Sequence, residues 1–131
     1  MDLKQYFDTT KGLGIFSTAD AAGKVDAAVY SRPHVMEDGT LAFIMLDRLT
    51  HDNLQSNPHA HYLFKEEGPG YRGLRFFLTK VREEQNSELL HALRRRQPVD
   101  QTDAPRFLVF FKIDETLPLV TPRSHPVAKQ A

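Results

Sequence analysis

Residues 50–58 form the segment that most constrains the fold, because an apolar strand pattern lies on each side of them. Residues 41–46 precede the segment and residues 60–64 follow it. Thr50 is a residue type that caps helix N-termini, and Pro58 is a helix stop. The pattern predicts one short helix between two strands. The first backbone N–H groups of such a helix have no partner within it, so they form a ready anion site.

The composition indicates one globular domain. The chain has 131 residues and is 40% hydrophobic, so we expect a single domain over residues 1–131 with a substantial core. Its 17 basic and 17 acidic residues cancel, which argues against a nucleic-acid or membrane-surface binder. The lack of cysteine excludes disulfides and thiolate chemistry. No apolar run resembles a signal peptide or a bilayer span, so we expect a cytoplasmic protein.

Hydrophobic patterns between turn signals predict a mainly β fold with a few helices. Helices are expected at residues 3–7, after residue 50 and at 86–96. A polar loop should follow over 97–105, and an irregular tail over about 117–131. About six antiparallel strands are expected, at residues 13–19, 25–32, 41–46, 60–65, 71–82 and 107–113. Several are apolar on both faces, which favours a small closed barrel, unless one such face is a subunit interface.

Arg32, Arg48 and Thr50 are candidates for binding a phosphate group. If the Asp38-Gly39 turn pairs the strands before and after it, both arginines can reach the start of the Thr50 helix. A phosphate there would meet backbone N–H groups, a hydroxyl and guanidinium groups, and Ser31 offers a second hydroxyl. The alternative is that Thr50 only caps its helix and both arginines pair with surface acids.

Other polar residues give weaker signals. His59 and His61 share a strand face, but no third ligand is marked, so a solvated or interface pair is favoured over a metal site. Residues 94–96, three arginines, fit a solvated helix end. No Ser-His-Asp order or carboxylate pair marks a catalytic residue. If the protein is an enzyme, a cofactor would carry the chemistry.

The run Asn53-Leu54-Gln55-Ser56-Asn57-Pro58 resembles the helix ending of the pyridoxamine 5'-phosphate oxidase-like, FMN-binding split-barrel family. The order of strands and turns over residues 12–82 is similar to that family as well. The resemblance implies an antiparallel, six-stranded split β-barrel. It also implies an FMN whose phosphate lies at the helix start and whose ring lies against strand backbone at a homodimer interface.

Carried over by position, the resemblance implies a set of cofactor-binding residues. Phosphate contacts fall on Arg32, Arg48 and Thr50, beside Ser31, and the flavin is flanked by the backbone of Ile44 and Met45. The remaining candidates are His51 and Asn53 on the first helical turn, and Arg72 and Arg75 near a flavin bound mainly by the other subunit. For the last two, a glycine-rich hairpin with solvated arginines is an equal alternative. Many family members carry Ser-Arg-Lys before the helix, whereas this chain has Arg48-Leu49-Thr50.

These features together predict an FMN-binding flavoprotein, a flavin-dependent oxidoreductase that acts as a homodimer on a small-molecule electron donor or acceptor. The alternatives are a flavin carrier or redox sensor without turnover, and a related barrel that binds haem or a deazaflavin. Pyridoxamine phosphate is not implied as substrate, because the tail offers only Arg123 and His125 to hold a second phosphate.

Overall fold

The computed structural model describes residues 1–94 and 105–120. They form one seven-stranded antiparallel sheet with three short helices. In chain order the elements are α1 (Leu3–Thr9), β1 (Gly12–Ala19), β2 (Val25–Val29), β3 (His34–Val35), β4 (Leu41–Leu46), α2 (Leu49–Ser56), β5 (His59–Glu66), β6 (Gly73–Gln85), α3 (Glu88–Leu93) and β7 (Arg106–Pro118). The strand order is β2-β1-β5-β6-β7-β4-β3. No helix in the described ranges is long and apolar enough to cross a bilayer.

The mainly β prediction is confirmed, but the count of six strands is wrong. The additional strand is β3, in which His34 and Val35 pair with Ala42 and Leu41. Two residues cannot show a period-two pattern, so no sequence signal marked them. Strands β6 and β7 also extend past the predicted ends at residues 82 and 113. The end of the 86–96 helix, most of the 97–105 loop and the tail beyond residue 120 lie outside the described residues.

An aromatic cluster fills the barrel interior and closes it. Phe16 of β1 and Phe43 of β4 meet edge to face, with ring centroids 4.9 Å apart. Those strands are not neighbours in the sheet, so the rings pack across the gap between its two ends. Phe111 contacts both of them, and Phe7 of α1 packs on Phe64 at 5.3 Å. Each such pair contributes about 0.5–1.5 kcal/mol beyond simple burial.

Strand β4 is covered on both faces, as its sequence predicts. Leu41, Phe43 and Met45 point into the barrel core. Ala42 belongs to a second buried cluster, formed with Leu90 of α3 and with two residues of β7, Leu108 and Phe110. The outer faces of β4 and β7 are therefore covered by helix α3 of the same chain. The alternative that one of these faces is a subunit interface stays a prediction.

Helix α2 begins at Leu49, one residue earlier than expected, and Arg48 occupies the N-cap position without a side-chain capping bond. The prediction that Thr50 caps this helix is therefore wrong. The Thr50 hydroxyl instead hydrogen-bonds the hydroxyl of Tyr30, which follows β2. The helix ends where expected, with Asn57 as C-cap immediately before Pro58.

Candidate functional site

A cavity of about 730 Å³ opens in the gap between β2 and β4, beside the start of α2. Its volume lies in the range of small-molecule and cofactor sites. Residues from β2, from the segment after it, from β4 and from the start of α2 form most of the wall. The lining residues are Asp26, Ala28, Val29, Tyr30, Ser31, Arg32, His34, Phe43, Ile44, Leu46, Arg48, Leu49, Thr50, Arg94 and Arg106.

The cavity is cationic although the chain as a whole is neutral. Four arginines and one histidine line it, against a single carboxylate, Asp26. Such a concentration of one charge in a concave site raises the local concentration of ligands of opposite charge. The cavity is therefore suited to an anionic ligand.

Arg48, Thr50 and Tyr30 meet at the α2 end of the cavity. Arg48 is exposed at the helix N-cap, whereas Thr50 is buried. Burial raises the pKa of Tyr30, while the hydrogen bond from Thr50 and the charge of Arg48 act in the opposite direction. With a raised pKa the phenol stays protonated near neutral pH. Tyr30 thus offers the cavity an aromatic face and a neutral hydroxyl.

The segment after β2 is held in place by Tyr62. The Tyr62 hydroxyl donates a hydrogen bond to the Ser31 carbonyl at 3.0 Å. This contact needs Gly14, because a Cβ at that position would lie 2.0 Å from the Tyr62 hydroxyl. Arg32 is placed beside it, and its Nη1 donates to the carbonyls of Phe7 at 2.7 Å and Thr10 at 3.0 Å. Arg32 therefore ties the end of α1 to the cavity wall.

Five of the ten predicted cofactor-binding residues line the cavity, and the other five do not. Ser31, Arg32, Ile44, Arg48 and Thr50 line it. Met45 points into the core. The cavity lining also does not include His51, Asn53, Arg72 or Arg75.

His51 and Asn53 are buried on sides of α2 that do not line the cavity. Asn53 donates from Nδ2 to the Thr18 hydroxyl at 3.0 Å, which joins α2 to β1. His51 lies against Phe107 and Glu83, with ring centroids 3.8 Å apart in the His51–Phe107 pair. Both side chains therefore hold helix α2 against the sheet.

Arg72 and Arg75 lie away from the cavity of their own chain. Arg72 Nε is 3.6 Å from Glu66 Oε1, and its side chain is largely exposed. Arg75 Nε donates to the Pro118 carbonyl at 3.1 Å. Within the described ranges no group of three or more histidine and carboxylate side chains could hold a metal ion.

Several cavity residues were missed by the sequence analysis. Asp26, Ala28 and Tyr30 alternate along β2 and its extension, so a period-two pattern could have assigned them to one face. Arg106 reaches the cavity because it pairs with Leu46 in the β4–β7 register, 60 positions along the chain. That placement depends on strand pairing and has no local signal.

The comparisons with known proteins support the fold. No family model and no curated protein matches the sequence. An FMN-binding protein from Syntrophomonas wolfei subsp. wolfei superimposes with a TM-score of 0.69 at 21% identity, over 92% of this chain and 85% of that one. HutZ, the haem storage protein from Vibrio cholerae, gives 0.68 at 17% identity, over 89% and 92%. A candidate pyridoxamine 5'-phosphate oxidase from Lactobacillus delbrueckii gives 0.67 at 13%, over 89% and 92%.

This chain has the pyridoxamine 5'-phosphate oxidase-like split-barrel fold. The resemblance expected from residues 53–58 is confirmed for the fold. In this split barrel, α2 lies beside the opening between β2 and β4, and the cationic cavity lies at that opening. The neighbouring structures include an FMN-binding protein and a haem storage protein, so the fold alone does not select the ligand.

The buried contact between His51 and Glu83 predicts a pH-dependent contribution to the stability of the split barrel. Burial raises the pKa of Glu83, but hydrogen bonds from Lys80, His51 and Gln55 outweigh it and lower the pKa from 4.5 to about 2. A carboxylate with a depressed pKa stabilises the fold above its unfolded-state pKa and loses that contribution as the pH falls towards its folded-state pKa.

We expect Glu83→Gln to lower the free energy of unfolding by about 1–2 kcal/mol at pH 7, after allowance for solvent screening. The difference between variant and wild type should shrink as the pH falls from 4.5 towards 2, because Glu83 becomes protonated in that window. Urea denaturation of both proteins at a series of pH values measures this difference in the free energy of unfolding. A difference that stays constant down to pH 3 would contradict the assignment.

Proposed function

We propose that this protein binds FMN in the cavity between β2 and β4 and acts as a flavin-dependent oxidoreductase. The observation that carries the proposal is the cationic wall of that cavity beside the first turn of α2. The dianionic phosphate of FMN is suited to such a wall, where four arginines stand at one opening of a chain that is neutral overall. The fold similarity to an FMN-binding protein supports the same ligand.

The residues present fit FMN. Arg48, the nearest guanidinium to the helix start, would hold the phosphate together with the first amides of α2. Ile44, Leu46 and Phe43 supply apolar surface suited to a planar ring, and Tyr30 supplies an aromatic face. A bound flavin supplies hydride and electron transfer, and this chain supplies binding, orientation and electrostatics.

The phosphate contact can be tested by comparing FMN with riboflavin, which lacks the phosphate. Charge-assisted hydrogen bonds contribute about 1.5–3 kcal/mol, so Arg48→Ala should weaken FMN binding by about tenfold or more. Riboflavin affinity should change little. Titrations followed by flavin fluorescence measure both.

Lys112→Ala is the matched control, since it removes an exposed cation on β7 outside the cavity. It should leave both affinities unchanged. Wild-type protein that binds FMN and riboflavin equally well would refute the phosphate site.

We also propose that the protein is a homodimer, through a surface different from the one the sequence suggested. Direct cross-strand pairing places Val29, Ile15, Leu63, Arg75 and Leu117 on one face of the sheet, which we call the outer sheet face. Its exposed apolar side chains are Val25, Val29, Leu13 and Phe77, at 77%, 69%, 50% and 39%. These side chains share one face, interspersed with polar residues such as Ser17 and His61, and this face is the proposed protein–protein interface.

The outer sheet face also explains how a flavin could lie at the interface. Strand β2 presents Val25 and Val29 on this face, and Asp26 and Ala28 line the cavity from its other face. Val29 also borders the cavity. A second copy packed on β2 would therefore lie beside the cavity. Arg75, which the chain keeps away from its own cavity, lies on the same outer sheet face and so at the proposed interface.

Val29→Asp should convert the protein to a monomer, because it places a charge within the proposed interface. Light scattering with sedimentation analysis gives the mass. Leu89→Asp is the control, since Leu89 is also 39% exposed but lies on α3, away from the outer sheet face. A wild-type protein that is monomeric with flavin bound would disprove the dimer.

The reaction itself is tested by anaerobic mixing of the FMN-loaded protein with dithionite, with a reduced nicotinamide and with pyridoxamine phosphate. We expect bleaching of the flavin by dithionite, and no turnover with pyridoxamine phosphate. Bleaching by pyridoxamine phosphate at a catalytic rate would show a vitamin B6 oxidase. Bleaching by dithionite alone would favour a flavin carrier or redox sensor.

A haem-binding function is the second candidate. His34 lines the cavity and is an imidazole of the type that holds haem iron, and HutZ, a haem storage protein, shares the fold. The arginines would then pair with the propionates. The absorption spectrum of the purified protein separates the two, because haem shows an intense Soret band and flavin does not. Loss of that band in His34→Ala would support haem.

A further inference from the structure

His51 joins the first turn of α2 to the sheet through a ring stack and a hydrogen bond. The residue is 6% exposed, and its ring lies nearly parallel to the ring of Phe107, with centroids 3.8 Å apart and planes 14° apart. Its Nε2 lies 3.0 Å from Glu83 Oε2 and 3.1 Å from Oε1. An ionised carboxylate only accepts hydrogen bonds, so Nε2 donates to Glu83.

Glu83 reaches His51 because of a bulge in β6. Lys80 pairs with Phe111, but the next pair is Arg82 with Phe110, so Val81 is an extra residue. After the bulge, Glu83 pairs with Val109 and shares its face, which points into the core. Without the extra residue, position 83 would face the α3 side. Bulges commonly re-aim side chains in this way.

The Glu83 carboxylate also accepts hydrogen bonds from Lys80 and Gln55. Lys80 Nζ lies 2.8 Å from Glu83 Oε1, and Gln55 Nε2 lies 3.2 Å from the same oxygen. Gln55 also donates to the His51 carbonyl at 3.0 Å. The network therefore holds both turns of α2 to β6. The network differs from a solvated ion pair, because His51 is also buried and stacked on Phe107.

The same contacts set the shape of the cavity. His51 belongs to the helical turn that carries Arg48, Leu49 and Thr50, which form one wall. Phe107, on which the His51 ring stacks, pairs with Met45 in β4. The residues on either side of Met45, Ile44 and Leu46, form another part of the wall. The distance between the α2 part and the β4 part of the wall therefore depends on the His51–Phe107 stack.

We infer that His51 is a positioning residue for the phosphate-binding wall, held in place by Glu83, which the Val81 bulge turns towards it. The inference rests on the proposed binding of a phosphate beside Arg48. Hydrogen bonds to a phosphate depend steeply on distance and angle, whereas apolar contacts with a ring tolerate small shifts. Loss of the His51–Glu83 contact should therefore weaken binding of the phosphate selectively.

The test compares FMN and riboflavin affinities across four variants of the full chain. His51→Phe keeps a stacking ring but has no N–H donor, and Glu83→Ala removes the acceptor. Both should raise the FMN dissociation constant by about tenfold and the riboflavin constant by less than about threefold. Glu83→Gln keeps an acceptor oxygen and should restore most of the FMN affinity. Glu84→Ala is the matched control, because Glu84 is the next carboxylate on β6 and pairs with Arg82.

Two results would overturn the inference. Equal losses of FMN and riboflavin affinity, in step with a lower melting temperature, would show that His51 only supports the fold. Unchanged FMN affinity in His51→Phe and Glu83→Ala would show that the contact does not act on the site. If His51→Phe does not fold, Glu83→Ala decides the comparison, because it removes the acceptor of the same hydrogen bond.

Inorganic phosphate separates this inference from the proposed function. Backbone amide signals of residues 48–50 should shift on phosphate addition in wild type and respond more weakly in His51→Phe. If that pattern appears in a protein that does not bind FMN, the proposed cofactor is wrong and the positioning role is supported. If the wild-type amides do not respond to phosphate, the positioning role is overturned.

Discussion

The packing of Phe16 against Phe43 is the contact on which the barrel depends. Backbone hydrogen bonds join seven strands in a row but cannot close that row, because β2 and β3 form its two ends. Side chains have to complete the barrel, and aromatic rings do so across the opening. Tyr30 and Phe43 belong to this cluster and also line the cavity. Because cores are close-packed, the shape of the cavity and the closure of the barrel are coupled.

Electrostatics in this protein are local. The net charge is zero, so the chain as a whole attracts neither anions nor cations at long range. Fields from solvent-exposed charges fade over about 8 Å at physiological ionic strength. Outside the cavity, carboxylates lie close to cations, as with Glu66 beside Arg72 and Glu83 beside Lys80. The cavity lining gathers four arginines and one carboxylate, Asp26, so its electrostatic field acts mainly on a ligand that enters it.

The parts of the fold that could be predicted are those with local signals. Strand β4 shows a continuous apolar run, α2 ends at a proline, and both are found where the sequence places them. The side-chain directions on α2 could not be predicted, because they depend on how the helix docks. Thr50 therefore meets Tyr30 instead of capping, and His51 and Asn53 turn to the sheet. Neither the two-residue strand β3 nor the bulge at Val81 produces a periodic hydrophobic pattern in the sequence.

Strand β2 stands at one end of the sheet, with Val25 and Val29 exposed on one face. The outward backbone groups of an edge strand can form hydrogen bonds with an extended chain that approaches, and exposed apolar residues stabilise such pairing. Lys24 stands at the entrance to this strand, where a charge discourages stacking of further strands. The strand that forms a wall of the cavity is thus also one where pairing with a second extended chain can begin.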